Sequence, residues 1–268
     1  MRIGVFCGNQ PRHLALIRQL ADVADEVFAV QECTTVFPGK VADFFQRSDV
    51  MQAYFGRVIS AEADIFGDID FLPKNVRSLS VRMGDLTQVP AAVLEPALEA
   101  DVVVVFGSSY IRSPLVERFI AARAVNIHMG LSPYYRGSSC NFWAMNDGRA
   151  DMVGATIHML SKGLDSGGIL FHALPEPAEC DPWAFTMRAV EAAIAGLAER
   201  IAAGDLLDHE PVVQDPDLLI RYTRNAEFTD EIAADFMQNA PTPAAVRVMA
   251  ENVRGRKLLR PYFLGTRV

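Results

Sequence analysis

Short apolar runs alternate with amphipathic, helix-like segments along the first half of the chain. Residues 102–106 are four valines and a phenylalanine, which is typical of a strand covered on both faces, whereas residues 11–24 carry apolar side chains at helical spacing. This alternation predicts an α/β fold, a doubly wound, mostly parallel, Rossmann-like sheet that binds ligands beyond the carboxyl ends of its strands. The predicted strands are 2–7, 26–30, 76–81, 102–106 and 124–128, and the predicted helices are 11–24, 41–61, 91–100 and 114–122.

The second half of the chain is less regular. Strands are predicted at 152–160 and 168–171, on either side of a loop at 161–167. Asp181 followed by Pro182 predicts a helix start, and Gly204 predicts its end. Beyond that glycine, a proline-rich tail predicts a small C-terminal appendage with helices near 229–237 and 243–253. The domain prediction is therefore 1–204 for the catalytic domain and 205–268 for the appendage.

Composition narrows the class of protein. Half of the 268 residues are hydrophobic and 22% are charged, which predicts a globular core, and the apolar runs are far shorter than a membrane span. Four scattered cysteines indicate neither a disulfide framework nor a metal site, and a cytoplasmic protein is expected. The net charge of −8 disfavours nucleic acid. Residues 251–268 are locally basic, which fits either a solvated surface or a contact for a phosphate or a second subunit in a homodimer.

Three side chains near the middle of the chain suggest chemistry. Asn126 and His128 are two positions apart at the end of a predicted strand and should therefore share a face, and Asp165 follows in a loop bracketed by glycines. An amide that donates, an imidazole that donates as a cation and a carboxylate that orients it can stabilise an oxyanion and move a proton. Taken singly, such a histidine or asparagine is more often structural. His158 is expected to be a strand histidine packed near this site.

Other candidates are weaker and each has a structural alternative. Gly8, Asn9 and Arg12 lie where the first strand gives way to a helix, so they form either a phosphate site on backbone amides or an ordinary turn. A second group of residues either lines the part of the site that binds the amine acceptor or belongs to the hydrophobic core. This group consists of Tyr135, Arg136 and Trp143. Arg224 either contacts a nucleotide or forms the polar face of an edge strand.

Three segments resemble the signature of the folate-dependent formyltransferases. Residues 126–137 (Asn-Ile-His-Met-Gly-Leu-Ser-Pro-Tyr-Tyr-Arg-Gly) are similar to the family's Asn-x-His followed by Pro-Ser-Leu-Leu-Pro-x-Tyr-Arg-Gly. Residues 154–158 and 164–167 resemble its Gly-x-Thr-x-His and Leu-Asp-x-Gly segments. The resemblance covers about residues 100–200 well. Met129-Gly130 stands where the family has Pro-Ser, which predicts a different loop path after His128 with the catalytic residues intact.

The resemblance implies a reaction and a set of site residues. A substrate amine attacks the formyl carbon of 10-formyltetrahydrofolate, Asn126 and protonated His128 donate to the resulting oxyanion, and Asp165 favours the charged imidazole and helps to move the proton. No metal is implied. Two segments are expected to hold the folate. They are Ser108, Ser109, Tyr110 and Ile111, and Leu160, Ser161, Lys162, Gly163 and Leu164.

The sequence leaves several possible acceptors for the formyl group. The preferred hypothesis is an N-formyltransferase acting on the primary amine of a nucleotide-linked amino sugar, because the chain has the length of a catalytic core plus a small C-terminal appendage. A methionyl-tRNA formyltransferase is expected to carry a longer, basic C-terminal domain. The alternatives are transfer to an amino acid or another small-molecule amine, hydrolysis by a formyltetrahydrofolate deformylase, and a non-catalytic folate-binding module. Loss of Asn126, His128 or Asp165 would have favoured that last alternative.

Overall fold

A computed structural model describes residues 1–36, 40, 41 and 43–265, and an eight-stranded mixed sheet forms its centre. The strands are β1 (Arg2–Gly8), β2 (Glu26–Cys33), β3 (Thr35–Val36), β4 (Lys40–Val41), β5 (Val76–Arg82), β6 (Val102–Phe106), β7 (Val125–His128), β8 (Tyr135–Gly137), β9 (Ala155–Met159), β10 (Ile169–Leu174), β11 (Arg221–Thr223) and β12 (Tyr262–Phe263). The helices are α1 (Pro11–Ala21), α2 (Asp49–Phe66), α3 (Ala91–Leu98), α4 (Leu115–Ala121), α5 (Cys140–Asn146), α6 (Pro182–Ala203), α7 (Asp230–Asn239) and α8 (Pro243–Ala250).

The strand order of the main sheet is β12-β10-β9-β7-β6-β1-β2-β5. Its pairings are parallel except those made by β9, which runs opposite to both β7 and β10. The chain moves outward through β2 and β5 on one side of β1 and through β6 and β7 on the other. This reversal creates a crevice beyond the carboxyl ends of β1 and β6, where open α/β sheets bind ligands. The predicted doubly wound, mostly parallel sheet is confirmed.

Both faces of the sheet are covered by apolar packing. Val104 joins the core cluster that includes residues of α1 and α6, whereas Val103 and Val105 join the cluster formed with α3 and α4. Side chains of a strand alternate between faces, so a strand inside such a sheet must be apolar at every position. The valine run of β6 satisfies this requirement. The crevice therefore lies at the end of a strand that is packed on both faces.

The two longest helices differ in how well the sequence predicts them. α6 begins and ends as expected: the Asp181 carboxylate accepts the N–H groups of Trp183 and Ala184, and Gly204 takes a left-handed φ of 76°. The helix predicted at 41–61 begins later and runs to Phe66. Its N-cap is Ser48, whose side chain accepts the Met51 N–H at 3.2 Å, and residue 42 lies outside the described part. The serine cap outweighs the apolar pattern that precedes it.

The segment after α6 adds strands to the sheets. β12 pairs with β10, and β11 pairs with β8, a strand that the sequence pattern did not reveal. Tyr262 packs so closely on Gly196 of α6 that a Cβ there would lie 2.7 Å from the tyrosine ring. The proposed boundary coincides with the end of α6, and the division into 1–204 and 205–268 stays a prediction. Arg267 of the basic tail lies outside the described residues. Within the described chain, no helix is both long and apolar enough to cross a membrane.

Candidate active site

An amide, an imidazole and a carboxylate meet at the carboxyl end of β7. Asn126 and His128 project from this strand, and Asp165 reaches them from the loop between β9 and β10. His128 Nδ1 lies 3.3 Å from Asp165 Oδ2, and Asn126 Nδ2 donates to Asp165 Oδ1, also at 3.3 Å. His128 is 7% exposed. The three predicted catalytic residues therefore form one hydrogen-bonded cluster.

Their protonation states are linked. Burial by itself would lower the pKa of His128, but its hydrogen bonds with Asp165 and Cys140 and the negative charge of Asp165 outweigh burial and raise the pKa above its usual value. Burial would raise the pKa of Asp165, but the hydrogen bond with His128 and the positive charge of that ring hold the pKa below its usual range. At neutral pH the pair is accordingly an imidazolium and a carboxylate. A cationic ring is the form that can donate to a developing oxyanion.

His158 belongs to this cluster. Because β9 runs antiparallel to β7, His158 is the cross-strand partner of Asn126. His158 Nδ1 lies 2.9 Å from the Met159 carbonyl and must donate to it, so Nε2 is free to accept the Asn126 amide at 3.1 Å. Both N–H groups of Asn126 are thus engaged, one by His158 and one by Asp165. An incoming oxyanion has to compete with Asp165 for one of them.

The loop that carries Asp165 is held in an unusual conformation. Asp165 has a φ of 46°, a left-handed value that is costly for a non-glycine residue and is often found at functional sites. Gln214 stabilises it from the tail, since its Nε2 donates to the carbonyl oxygens of Asp165 at 2.8 Å and Gly167 at 3.0 Å. A Cβ on Gly167 would lie 1.7 Å from the Met159 oxygen, so only glycine fits there. The sequence revealed neither the strain nor the Gln214 contact.

The loop after His128 is fixed by buried polar contacts. The Thr156 hydroxyl donates to the Gly130 carbonyl at 2.6 Å and accepts the Ser132 N–H at 2.8 Å. His172 Nε2 donates to the Ser132 carbonyl at 2.9 Å, and its Nδ1 accepts the Leu259 N–H, also at 2.9 Å. Strands β9 and β10 and the tail therefore determine the path of this loop together.

A cavity of about 330 Å³ opens beside the catalytic cluster. Asn126, His128, His158 and Asp165 lie on its wall. Eight of the nine residues predicted for folate also line it: Ser108, Ser109, Tyr110, Ile111, Leu160, Ser161, Gly163 and Leu164. Lys162 is not one of the lining residues, because its ammonium extends to Glu117 Oε1 at 3.0 Å while its carbonyl accepts the Tyr110 hydroxyl. The two predicted segments thus face each other across one cavity.

A buried glutamate supports one side of this cavity. Glu32, at the carboxyl end of β2, is 1% exposed. Its carboxylate accepts the Ser109 N–H at 2.5 Å, the Ser109 hydroxyl at 2.7 Å and the Gly84 N–H at 2.9 Å. A carboxylate bound by several donors can stay buried without a cation nearby. Glu32 is not predicted from the sequence, where its only signal is a charged residue just beyond an apolar run.

At the predicted phosphate site at the start of α1, the polar groups make hydrogen bonds within the protein. Glu62 Oε1 accepts both the Arg12 guanidinium at 2.8 Å and the Arg12 N–H at 3.1 Å. The Gln10 N–H donates to His13 Nδ1, and Pro11 has no N–H to offer. Asn9 Oδ1 accepts the Thr34 N–H, and a Cβ on Gly8 would collide with His13. Several donors that would receive a phosphate are therefore already used within the protein, and the site stays a prediction.

The other predicted acceptor residues separate into core and surface. Tyr135 and Trp143 are 1% and 3% exposed and belong to the hydrophobic core, so the structure places them away from the cavity wall. The Tyr135 hydroxyl donates to Asp147 at 3.1 Å, and the exposed Arg224 binds Glu227 through its own backbone N–H. Arg136 differs from these residues. Its Nε is buried without a hydrogen-bond partner among the described residues, where the guanidinium also makes no ion pair.

The chain resembles known proteins in sequence and in fold. Residues 83–191, which include Asn126, His128 and Asp165, match the family model described as formyl transferase. Phosphoribosylglycinamide formyltransferase from Anaplasma phagocytophilum has a similar fold, with a TM-score of 0.52 at 18% identity over 84% of this chain and 98% of that one. An N-formyltransferase from Helicobacter canadensis, solved with folinic acid and dTDP-3-aminofucose, has a TM-score of 0.50 at 11% identity over 86% and 78%.

Similarity to curated proteins is confined to a short stretch. Methionyl-tRNA formyltransferase of Synechococcus sp. (strain JA-3-3Ab) is 38% identical over 82 residues, which are 31% of this chain and 25% of that protein. The chain thus spans about a quarter of the length of this relative. Among the described residues, no group of three or more His, Cys, Asp or Glu side chains is arranged to hold a metal ion.

Proposed function

We propose that this protein is an N-formyltransferase that moves a formyl group from 10-formyltetrahydrofolate to a primary amine. The observation that carries the proposal is the cluster of Asn126, His128 and Asp165 on the wall of a cavity lined by the two predicted folate segments. The family match over residues 83–191 supports it. A protonated imidazole and an amide on the wall of a cavity suit a reaction that builds charge on a carbonyl oxygen.

The cavity fits the proposed formyl donor. Its volume of about 330 Å³ falls within the range of small-molecule sites. Ile111, Val116 and Leu160 supply apolar surface for a flat ring, while Gly107 and Gly163 expose backbone groups. The folinic acid bound by the Helicobacter canadensis enzyme is a related folate, which favours the same class of donor here.

Each residue of the cluster has a defined part in the proposed reaction. As the amine nitrogen bonds to the formyl carbon, Asn126 and the His128 cation donate to the oxygen that becomes negative, each through an N–H group that it then shares with Asp165. Asp165 keeps His128 charged and oriented. The amine then loses a proton, the bond from the formyl carbon to the folate nitrogen breaks, and that nitrogen takes up a proton, so the folate leaves as tetrahydrofolate. Asp165 is the base within reach of the proton in transit.

The proposed acceptor is a nucleotide-linked amino sugar. The dTDP-aminosugar in the Helicobacter canadensis structure favours this class, although the curated relatives are named as tRNA enzymes. Arg136 is the preferred phosphate ligand, because it has a buried, unused N–H in the described part of the chain and follows the His128 loop. Arginine binds phosphate with charge-assisted, paired hydrogen bonds. Arg12 would first have to leave Glu62.

The deciding experiment offers the protein 10-formyltetrahydrofolate and separate pools of amines. The pools are nucleotide-linked amino sugars, amino acids, glycinamide ribonucleotide and charged initiator tRNA, and the readout is a mass increase of one formyl group. We expect product from the sugars alone. Product solely from another pool would contradict the proposed acceptor, and formate release without any acceptor would identify a deformylase. Folate binding without turnover in every pool would identify a non-catalytic module.

The Arg136 assignment is tested within the same assay. Arg136→Ala should raise the acceptor KM at least about tenfold and leave the formyl-donor KM unchanged, since one charged contact is worth about 1.5–3 kcal/mol. Arg118→Ala is the matched control, because Arg118 lies on the surface of α4 beside Glu95. Location in the cytoplasm and assembly as a homodimer stay predictions, and light scattering measures the second directly.

A further inference from the structure

A thiol contacts the edge of the His128 ring that faces away from Asp165. Cys140, the first residue of α5, is 1% exposed, and its Sγ lies 3.6 Å from His128 Nε2 and 3.4 Å from the Gly137 carbonyl. Cys140 is not among the residues that line the cavity beside the catalytic cluster. The thiol therefore touches the imidazole without facing the space where a substrate would bind.

Gly130 provides the room for this contact. A Cβ at position 130 would lie 2.5 Å from Cys140 Cβ and 2.8 Å from His128 Nε2. The backbone cannot easily move aside, because the Gly130 N–H donates to the His128 carbonyl and its own carbonyl accepts the Thr156 hydroxyl. The glycine of Met129-Gly130 and the cysteine at 140 are therefore a matched pair: the first has no side chain, and the second fills the space beside Nε2.

A thiol suits a ring nitrogen whose protonation changes. Nδ1 lies against the Asp165 carboxylate and carries a proton in the resting site. When Nε2 is protonated as well, it donates to Sγ while the S–H group donates to Gly137. When Nε2 is unprotonated, the S–H group can rotate from the Gly137 carbonyl and donate to Nε2. A methyl group could do neither, and a buried Nε2 without a partner is costly.

We propose that Cys140 is a positioning residue that holds the His128 imidazole by Nε2 in both protonation states of that nitrogen. The inference rests on the proposed function only in its kinetic consequences. In the described part of the chain, the titratable groups that face the ring are Asp165 at Nδ1, His158 with its ring centre 6.5 Å away, and Cys140 at Nε2. Replacing Cys140 thus alters the Nε2 side alone.

The kinetic test compares Cys140→Ala with Cys140→Ser, which keeps a donor and acceptor. We expect Cys140→Ala to lower kcat about tenfold, the equivalent of one hydrogen bond, with an unchanged formyl-donor KM and a displaced pH profile. Cys140→Ser should restore most of kcat and the profile. Cys180→Ala, which changes a half-buried cysteine outside the cluster, is the control. A wild-type kcat and profile in Cys140→Ala, or an equal loss in both Cys140 variants, would overturn the proposal.

A second measurement is independent of formyl transfer. With ¹⁵N-labelled histidine, NMR reports the protonation and hydrogen bonding of His128 Nε2. We expect the Nε2 resonance to move in Cys140→Ala and to stay near the wild-type position in Cys140→Ser and Cys180→Ala. An unmoved resonance in Cys140→Ala would overturn the proposal even in an active enzyme, and the shift would support it even if no acceptor pool gave product.

Discussion

His128 shows how the surroundings of one side chain determine its chemistry. An isolated histidine at a strand end has no particular role, yet here one ring nitrogen faces a carboxylate and the other a thiol. The carboxylate favours the cation, which raises the pKa of the ring even though burial opposes the charge. An imidazolium fixed at both edges loses little rotational freedom when an oxyanion forms beside it.

Removing either member of this ion pair should abolish most turnover. We expect His128→Ala and Asp165→Ala each to lower kcat at least about a hundredfold, because an oxyanion donor or a positioned acid–base group typically contributes that much. Folate affinity, measured by calorimetry, should change little, since the cavity wall is mostly other residues. His209→Ala, at an exposed histidine, is the control. Turnover near the wild-type rate in either variant would exclude the assigned roles.

The position of Gly130 leads to a steric prediction. Gly130→Ala should destabilise the protein by about 1–3 kcal/mol, since the new methyl group would overlap Cys140 and His128. Gly56→Ala is the matched control: Gly56 lies in α2, and a methyl group there would have nothing within 4 Å, so alanine should stabilise the helix by up to about 1 kcal/mol. Urea unfolding measures both. A Gly130→Ala protein as stable as the parent would contradict the packing described.

Sequence reasoning identified residues whose neighbours are local and missed those whose partners are distant. Asn126 and His128 follow from strand alternation, and Asp165 follows from its glycine-bracketed motif. Glu32 and Gln214 act on residues 77 and 49 positions away, and no local pattern encodes such contacts. Tyr135 and Trp143 are aromatic residues of the kind found in binding surfaces. Their large apolar rings instead gain more free energy by packing in the core.

At the scale of elements, short strands complete the site. β8, β11 and β12 have two or three residues each, too few for a periodic pattern to predict them. The direction of β9 is equally invisible in its sequence, although that direction pairs His158 with Asn126. The segment after α6, expected to be an appendage, supplies β11, β12, Gln214 and the Leu259 N–H. The catalytic loops therefore depend on it.

The link from the tail to the Asp165 loop can be tested with a single residue. Gln214→Ala removes the donor to two carbonyl oxygens of a strained loop. We expect kcat to fall about tenfold while the folate KM changes less, because displacement of a positioned group is costly to catalysis. Gln238→Ala, at an exposed glutamine on α7, should leave kcat unchanged. Equal kcat values for the two variants would show that Asp165 is positioned without Gln214.

At the scale of the whole molecule, the sheet brings polar groups that are distant in sequence together in a buried region. The site lies beyond the carboxyl ends of strands on one side of the crevice, where β6, β7 and β9 end or begin. Several histidines are buried around it, and their charge states differ. Burial lowers the pKa of His13 well below its usual value and lowers that of His172 to about 4, whereas the pKa of His128 is raised. Stability should therefore depend on pH.

His172 allows that dependence to be measured. Its native pKa of about 4 lies below the ordinary value of 6.5, so its contribution to stability is complete above pH 6.5 and is lost as the pH falls towards 4. Between pH 7 and 5 this one group should cost about 2 kcal/mol of unfolding free energy. His128 has a raised pKa and stays protonated in the folded protein across that window, so the protonation of its unfolded form acts in the opposite sense, and it does so equally in the wild type and in a His172 variant.

The matching variant is His172→Gln, whose amide can still donate to the Ser132 carbonyl and accept the Leu259 N–H. Urea unfolding at pH 7 and pH 5 should show the wild type losing about 2 kcal/mol more than His172→Gln. Because His13 also resists protonation, His172→Gln should keep part of the acid sensitivity. His209→Gln, at an exposed site, should retain the wild-type slope. Parallel losses in wild type and His172→Gln would mean that His172 takes up its proton as readily in the folded protein as in the unfolded chain.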